Sequence, residues 1–250
     1  MDNNVSLAEN FQRYFSVELA STQEQKLSVY QIRYRVYCDE FKYEPADNFP
    51  DKAEHDDYDV NSLHCLITHK SSGEPAGCVR MVPTTGVDCA DLLPFERHCG
   101  ECVDEEFIAG LNIQRPTLCE ISRLAVDGMF RRRAGELATR FGELEAMGFS
   151  PQERRMFPLI SVAGFLASTA LTELTGRTNV IAMMEPFLPK LLKRSGIIFE
   201  RAGRDIDYHG IRAPYFIRTQ SAIDGMRADL RGLYDDLHDN IKLGYDKSVV

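Results

Sequence analysis

Residues 118–126 read L-C-E-I-S-R-L-A-V, a strand pattern in which two charges, Glu120 and Arg123, interrupt apolar residues. Charged side chains are seldom buried in a strand unless they are paired. Because the two charges are three residues apart, a regular strand would point them to opposite faces of its sheet. If both serve one site, the strand must carry a β-bulge there.

The segments around this strand predict a mixed sheet covered by helices. Apolar runs predict further strands at residues 17–20, 63–69, 76–82, 180–184 and 215–217, and helices at residues 131–147, 158–174, 186–194 and 222–237. The turn Ser71-Ser72-Gly73 predicts a hairpin between the second and third of these strands.

An earlier helix is expected after Thr22, which forms a capping-box pattern with Gln25. A stripe at three- and four-residue steps runs along it, consisting of Leu27, Tyr30, Tyr34, Tyr37 and Phe41.

This order of elements indicates one α/β domain over residues 1–250. Residues 15–126 form its N-terminal half with the charged residues, and residues 127–237 form a helix-rich C-terminal half. The charged tail at 238–250 is expected to fray.

Composition narrows the class of protein. The chain has 250 residues, of which 44% are hydrophobic and 27% are charged, as in ordinary globular proteins. A formal net charge of −9 disfavours a broad nucleic-acid-binding surface. The most apolar stretch, residues 158–174, is shorter than the roughly 20 residues that a membrane span needs. The first residues are polar, so we expect a cytoplasmic protein without a secretory segment or membrane span.

Seven cysteines in a chain expected to remain in the cytoplasm predict free thiols. His98, Cys99 and Cys102 form H-C-x-x-C, which resembles half of a zinc site. Without a second spaced pair we expect no metal.

Charged residues of both signs accompany the apolar elements. They are Arg33, Glu54, Asp56, Asp59, Arg80, Glu120 and Arg123. Two interpretations remain open from the residues alone. The set is either a structural ion-pair network, including solvated strand edges, or a functional site.

Four motifs occur in an order that resembles a known family. They are I-R-Y-R-V-Y (32–37), E-H-D-D-Y-D (54–59), V-R-M-V-P-T-T (79–85) and C-E-I-S-R-L-A-V (119–126). The order resembles the acyl-homoserine-lactone synthases, and more closely the exosortase-associated acyltransferases and N-acyl amino acid synthases. The resemblance covers residues 15–126 well.

The resemblance implies a single GNAT-like α/β domain, with a mixed twisted sheet, a splayed central strand pair and helices on both faces. It also implies an N-acyltransferase that moves a fatty acyl group from acyl carrier protein, or from acyl-CoA, to a small amine. The donor would be an acyl-phosphopantetheine, with no cofactor bound permanently.

By position, the resemblance marks Arg33, Tyr37, Tyr43, Glu54, Asp56, Asp59, Arg80, Glu120 and Arg123 as site residues. Glu120 is the candidate general base; the alternative is that Glu120 forms an ion pair with an arginine. Arg80 or Arg123 is expected to hold an acceptor carboxylate. The acidic residues at 54, 56 and 59 are expected to order their loop by pairing with arginines, and strand amides to hold the oxyanion.

Two departures from the homoserine-lactone synthases concern the acceptor. Tyr43 stands where those enzymes have a tryptophan, and this chain has no tryptophan. The segment at residues 127–157 is also longer than theirs. Both features favour an amino acid, or another amine, over S-adenosylmethionine.

The donor side is basic. Arg131, Arg132 and Arg133 form the only triple arginine of an acidic chain and predict a docking patch for acyl carrier protein. Lys190, Lys193 and Arg194 extend this patch. A solvated helix start is the alternative. The apolar segments at 159–171 and 180–184 fit an acyl channel or plain core.

Three other functions remain as alternatives. The first is an acyl-homoserine-lactone synthase that uses S-adenosylmethionine. The second is a catalytically silent GNAT-like domain that binds acyl carrier protein or a lipid. The third is a thiol or zinc enzyme.

Overall fold

The computed structural model describes residues 5–84, 91–131 and 149–249. Within these residues one open sheet has eight strands. The strands are β1 Phe15–Leu19, β2 Leu63–His69, β3 Pro75–Pro83, β4 Leu118–Val126, β5 Asn179–Met184, β6 Glu200–Arg201, β7 Ile206–Asp207 and β8 Ile211–Arg218.

The strand order across the sheet is β1-β2-β3-β4-β5-β8-β6, and β7 pairs with β8 beside this path. β1 to β4 are antiparallel neighbours, β4 and β5 are parallel, and β8 returns antiparallel to β5. The sheet is therefore mixed, as the sequence predicts.

β4 and β5 pair over a short distance only. Leu118, Cys119 and Glu120 of β4 pair with Asn179, Val180 and Ile181 of β5. Beyond these pairs, no ladder joins the two strands in the described part of the chain, although β4 continues to Val126 and β5 to Met184. This is the expected splayed strand pair, and it leaves one edge of β4 open in the middle of the sheet.

The predicted bulge is present at the same place. The register between β3 and β4 shifts at this point. Cys78 pairs with Ala125 but Arg80 pairs with Ser122, so β4 has one residue more than β3 between the two pairs. Arg123 takes a positive φ of 52°, which is uncommon for a residue other than glycine. The extra residue turns Ser122 and Arg123 to the same face, so Glu120 and Arg123 both face one site.

Helices cover both faces of the sheet. The described helices are Leu7–Tyr14, Gln23–Arg33, Pro94–Cys99, Glu105–Gly110, Gly128–Arg131, Pro151–Met156, Leu159–Leu174, Leu188–Arg194, Thr219–Gly225 and Ala228–Val249. The capping box of Thr22 and Gln25 is confirmed. A π-helical turn, Tyr34–Glu40, continues the second helix.

The core is divided by the sheet. Leu159–Leu174 and Ala228–Val249 pack on one face over the largest apolar cluster, which takes in Cys119 and Ile121 of β4. On the other face, one cluster lies under the second helix around Val29 and Ile32. Another lies around Phe95 and Phe216.

Two expectations need correction. The core side of the second helix is Val29, Ile32 and Val36, whereas Leu27 and Phe41 of the predicted stripe are exposed. The tyrosines of that stripe do contribute, since Tyr34 is buried and Tyr30 and Tyr37 are half-buried against the cluster around Val29 and Ile32.

The second correction concerns the C-terminus. The sequence predicts one terminal helix at 222–237, but the chain forms two, broken after Gly225. The backbones of Gly196 and Gly225 pack closely at this break. A side chain on Gly196 would not fit, because its Cβ atom would lie 1.8 Å from the carbonyl oxygen of Gly225. The helix Ala228–Val249 runs through most of the residues at which the sequence analysis expects a frayed tail. Most of the helix expected at 131–147 lies outside the described residues.

Candidate active site

The loop at residues 54–59 brings three carboxylates onto three arginines from three different elements. Arg33 comes from the second helix, Arg80 from β3 and Arg123 from the bulge of β4. Each of these arginines contacts two of the three acidic residues Glu54, Asp56 and Asp59. We call these six residues the ion-pair network.

The contacts inside the network are short and mostly buried. Arg33 donates from Nε to Glu54 and from Nη1 to Asp59 at 2.8 Å. Arg80 donates from Nη1 to Asp56 at 2.6 Å and to Asp59 at 2.9 Å. Arg123 reaches Glu54 at 3.1 Å and Asp56 at 3.2 Å. The network has no formal net charge, which is the condition under which such charges tolerate burial.

Protonation states are set by these contacts. Burial by itself raises the pKa of Glu54, but the charges of Arg33 and Arg123 outweigh burial and lower it overall. Asp59 behaves in the same way, because Arg33 and Arg80 overcome its burial and hold its pKa well below the usual range. Both carboxylates are therefore ionised at neutral pH.

Glu120 lies outside this network. It is 3% exposed, and no arginine or lysine in the described ranges lies within ion-pairing distance of it. Its Oε2 accepts a hydrogen bond of 2.7 Å from the backbone N–H of Phe95. Burial raises the pKa of Glu120 to about 7, although the Phe95 N–H and the charges of Arg80 and Arg123 act to lower it. The interpretation of Glu120 as an arginine's ion-pair partner is thus not supported by the geometry.

A pocket opens beside Glu120 at the splayed end of β4. Predicted site residues in its wall are Tyr37, Tyr43, Glu120 and Arg123. The Tyr37 hydroxyl donates to the Leu124 carbonyl at 3.1 Å, and the guanidinium of Arg123 lies 5.5 Å from the Tyr37 ring centroid. Burial raises the pKa of Tyr37 to about 12, so this hydroxyl remains protonated.

The remaining members of the network lie behind the pocket. Arg33, Glu54, Asp59 and Arg80 are buried and are not part of its wall. Their contacts hold Arg123 and the acidic loop in place, so they support the pocket wall without being part of it. Asp56 is the most exposed carboxylate of the network, at 29% of its side chain.

The sequence interpretation missed several residues of the pocket wall. They are Glu44, Pro94, Phe95, His98, Cys99, Ser122, Met183, Tyr208, His209 and Arg212. Two of them, His98 and Cys99, belong to the H-C-x-x-C motif, whose spacing suggests metal ligands rather than a pocket wall. The others come from a loop, a short helix, three different strands and the β7–β8 turn, so no single periodic pattern distinguishes them.

The H-C-x-x-C motif has a different setting from a metal site. Cys99 and Cys102 are buried free thiols, and burial raises the pKa of Cys99 to about 11. His98 stacks on Tyr208, with ring centroids 5.7 Å apart. No group of three or more metal-ligating side chains is found among residues 5–84, 91–131 and 149–249.

A second, apolar pocket lies on the opposite face of the sheet. Ile121 of β4, Val180 and Ala182 of β5, and Phe165 and Thr169 of the helix Leu159–Leu174 contribute to its wall. Ile121 lies between Glu120 and Ser122 in sequence, so neighbouring residues of β4 line the two pockets. The splayed pair β4 and β5 separates them.

The expected basic patch is partly described. Arg131 is exposed, pairs with Glu40 and lies 4.7 Å from the Phe41 ring centroid. Arg132 and Arg133 lie outside the described residues. Lys190, Lys193 and Arg194 lie on the helix Leu188–Arg194, which also exposes Leu191. None of the described helices is both long and apolar enough to cross a membrane.

Residues 32–140 match the family described as an acetyltransferase (GNAT) domain. No curated protein sequence matches the chain. Similarity to solved structures extends over most of the chain. TofI, in a ternary complex with an inhibitor and MTA, has a TM-score of 0.57 at 18% identity, covering 85% of this chain and 95% of TofI.

Two further structures share the fold. BjaI, a CoA-dependent acyl-homoserine lactone synthase solved with SAM and isopentyl-CoA, has a TM-score of 0.55 at 17% identity and covers 92% of this chain and 89% of its own. FeeM, an N-acyl amino acid synthase from uncultured soil microbes, has a TM-score of 0.52 at 12% identity, and the match covers 85% of this chain and 94% of FeeM. The domain match over residues 32–140 and the structural similarity together show that the chain has a GNAT-like α/β fold.

Proposed function

We propose that this chain transfers a fatty acyl group from acyl carrier protein to the amine of an amino acid. The observation that carries the proposal is Glu120, a buried carboxylate with a pKa of about 7 at the splayed end of β4. A carboxylate with that pKa is half deprotonated at neutral pH, which suits a general base.

The reaction needs little beyond positioning and one proton transfer. Glu120 takes a proton from the acceptor's ammonium group, directly or through one water. The free amine attacks the thioester carbonyl carbon, a C–N bond forms, and the C–S bond breaks. The phosphopantetheine thiolate leaves and takes up the proton that the attacking nitrogen loses. Backbone N–H groups on the open edge of β4 suit the oxyanion that forms in between.

The two pockets give the acyl group and the amine separate places. The wall beside Glu120 is polar and aromatic, whereas the wall on the other face of the sheet is formed mainly by apolar side chains. A fatty chain gains free energy by entering the apolar pocket. Its thioester then lies at the split between β4 and β5, within reach of an amine on the Glu120 side.

Acyl carrier protein fits the basic and apolar character of the helix Leu188–Arg194. Its Lys190, Lys193 and Arg194 attract an acidic partner, and the exposed Leu191 offers apolar contact. This donor implies a cytoplasmic reaction without a permanently bound cofactor.

S-adenosylmethionine remains the second candidate acceptor, because BjaI was solved with SAM. The aromatic position that is a tryptophan in homoserine-lactone synthases is Tyr43 here. Its ring stacks on Phe41 at 5.2 Å and lies 5.3 Å from His209. This face of the pocket is therefore already filled by protein rings.

Purified protein incubated with acyl carrier protein carrying a fatty acyl chain and a mixture of amino acids tests the proposal. We expect mass spectrometry to detect an N-acyl amino acid, with one free carrier thiol released for each product. A parallel reaction with S-adenosylmethionine should release no methylthioadenosine. A lactone with methylthioadenosine would establish the second candidate instead, and no turnover with either acceptor would support a silent binding domain.

A further inference from the structure

Arg212 differs from the other arginines of the site because none of the acidic residues that the structure describes pairs with it. Arg33, Arg80 and Arg123 each contact two carboxylates of the network. In the part of the chain that the structure describes, no carboxylate lies within ion-pairing distance of Arg212. Arg212 nevertheless belongs to the wall of the pocket that contains Glu120.

The protein holds Arg212 by an aromatic contact. Its guanidinium lies 5.5 Å from the centroid of Tyr43, and Tyr43 is itself stacked on Phe41. The Nε atom of Arg212 is buried and has no hydrogen-bond partner within the described residues. An unsatisfied buried donor is unfavourable, more so when it is charged. Such a cost is offset when a ligand supplies the missing acceptor.

The other charges of the pocket are already engaged. Glu44 lies 3.3 Å from His209, and Arg123 contacts Glu54 and Asp56. Among the described residues, Glu120 and Arg212 are the two charged wall residues for which no side chain forms a hydrogen bond or an ion pair. One is a proton acceptor and the other a fixed cation, which matches a ligand that carries an amine and an anionic group.

We propose that Arg212 binds the carboxylate of the amino-acid acceptor while Glu120 faces its amine. This inference rests on the proposed function and names the anchor of its acceptor. Arg80, one of the two arginines expected from the sequence to hold this carboxylate, is fully buried behind the pocket and occupied by Asp56 and Asp59. A guanidinium stacked on an aromatic ring presents its edge N–H groups for bidentate contact with a carboxylate.

Kinetics with amino acids and their decarboxylated amines test the assignment. Each primary amino acid is compared with the amine that lacks the carboxylate, at saturating acyl carrier protein donor. For Arg212→Gln we expect a KM for the amino acid that is about 10- to 100-fold higher, the scale of a lost charged hydrogen bond. The KM for the decarboxylated amine and for the donor should stay unchanged. Arg212→Lys should recover part of the loss.

Arg97→Gln is the matched control. Arg97 lies 5.2 Å from the Tyr58 ring centroid, so it is also stacked on a tyrosine, but it is outside the Glu120 pocket. It should behave as wild type. An unchanged amino-acid KM in Arg212→Gln would overturn the inference. A raised donor KM alone would also overturn it, because Arg212 would then bind the phosphate of the phosphopantetheine.

A binding experiment separates this inference from the proposed function. If wild type transfers no acyl group to any amine, the proposed function fails. Calorimetry with the same amino acids and amines then tests the subsite without catalysis. Binding of an amino acid that is lost in Arg212→Gln but kept in Arg97→Gln supports the carboxylate anchor. Equal binding by both variants, or no binding by wild type, overturns it.

Discussion

Glu120 and Arg123 are separated by two residues on one strand, yet they have different chemical states. Arg123 joins the ion-pair network, whereas Glu120 faces a pocket and has a backbone N–H as its hydrogen-bond partner. The positive φ of Arg123 makes this arrangement possible, because the bulge brings both side chains to one face. Strained backbone of this kind often lies at functional sites.

Replacement of Glu120 by glutamine should lower turnover about 100-fold or more, the scale of a lost general base. The amide keeps the shape of the side chain and its acceptor for the Phe95 N–H, so we expect the fold to persist. Wild-type turnover should rise as the pH passes about 7, where Glu120 loses its proton. Steady-state rates across this pH range provide the measurement. Near-normal turnover in a folded Glu120→Gln protein would remove Glu120 from the mechanism.

The same carboxyl makes stability depend on pH. Its pKa rises from 4.5 in the unfolded chain to about 7 on folding. A raised pKa contributes stability below 4.5, and that contribution is lost as the pH rises through about 7, a change of about 3 kcal/mol. Urea unfolding on either side of this range should show the fall in wild type. The free energy of unfolding of Glu120→Gln should fall less over the same pH range. Equal falls in both proteins would show that folding does not raise the pKa of Glu120.

At the level of elements, the site depends on where β4 and β5 separate and on the helices beside them. The parallel pairing ends at Glu120, so the open edge of β4 begins where the reacting carbonyl is proposed to lie. The π-helical turn Tyr34–Glu40 carries Tyr37 to the pocket, and π-helical turns recur at functional sites. The basic helix Leu188–Arg194 directly follows β5, so the same strand leads from the site to the proposed docking surface.

Changing Arg131, Arg132 and Arg133 together to alanine should raise the KM for acyl carrier protein and spare a small thioester analogue. A basic patch steers an acidic partner, and added salt should weaken that effect in wild type. Exposed Arg154 and Arg155 serve as the control pair, since they are adjacent arginines on the surface. Kinetics at several salt concentrations with both donors give the measurement. Equal losses with both donors would show that the three arginines do not dock the carrier protein.

For the whole molecule, the ion-pair network joins parts that are far apart in sequence. Glu54 alone contacts a helix residue, Arg33, and a strand residue, Arg123. On this face of the sheet, one apolar cluster lies around Val29 and another around Phe216. The network's charges hold the acidic loop against the sheet and leave Arg123 in the pocket wall.

Arg33→Met should destabilise the fold by about 3–5 kcal/mol, because it leaves two buried carboxylates without their shared cation. Arg227→Met is the control, since Arg227 and Asp229 form an exposed pair that contributes less than about 1 kcal/mol. Denaturant unfolding at neutral pH compares the two. A loss for Arg33→Met no larger than that for the control would mean that the network contributes nothing to stability.

The sequence alone determined most of the sheet and the set of charged residues from which the network forms. Strands β2 and β4 occur at the predicted residues, because alternating apolar residues between turn signals are a local property. The hairpin turn and the Thr22 capping box are local for the same reason. The charges inside strands and the acidic loop could be identified as partners, since burial requires them to be paired.

Tertiary structure alone decided which charges pair and which one remains. Seven charged residues were equivalent in the sequence, but six of them form the network and Glu120 does not. That choice depends on distances between a helix, a loop and two strands, which no local pattern contains. The hairpin of β7 and β8 brings His209 from its turn and Arg212 from the start of β8 to the pocket for the same reason. A pocket wall is formed by residues that are distant in the chain, so its unpaired charges become visible only after folding.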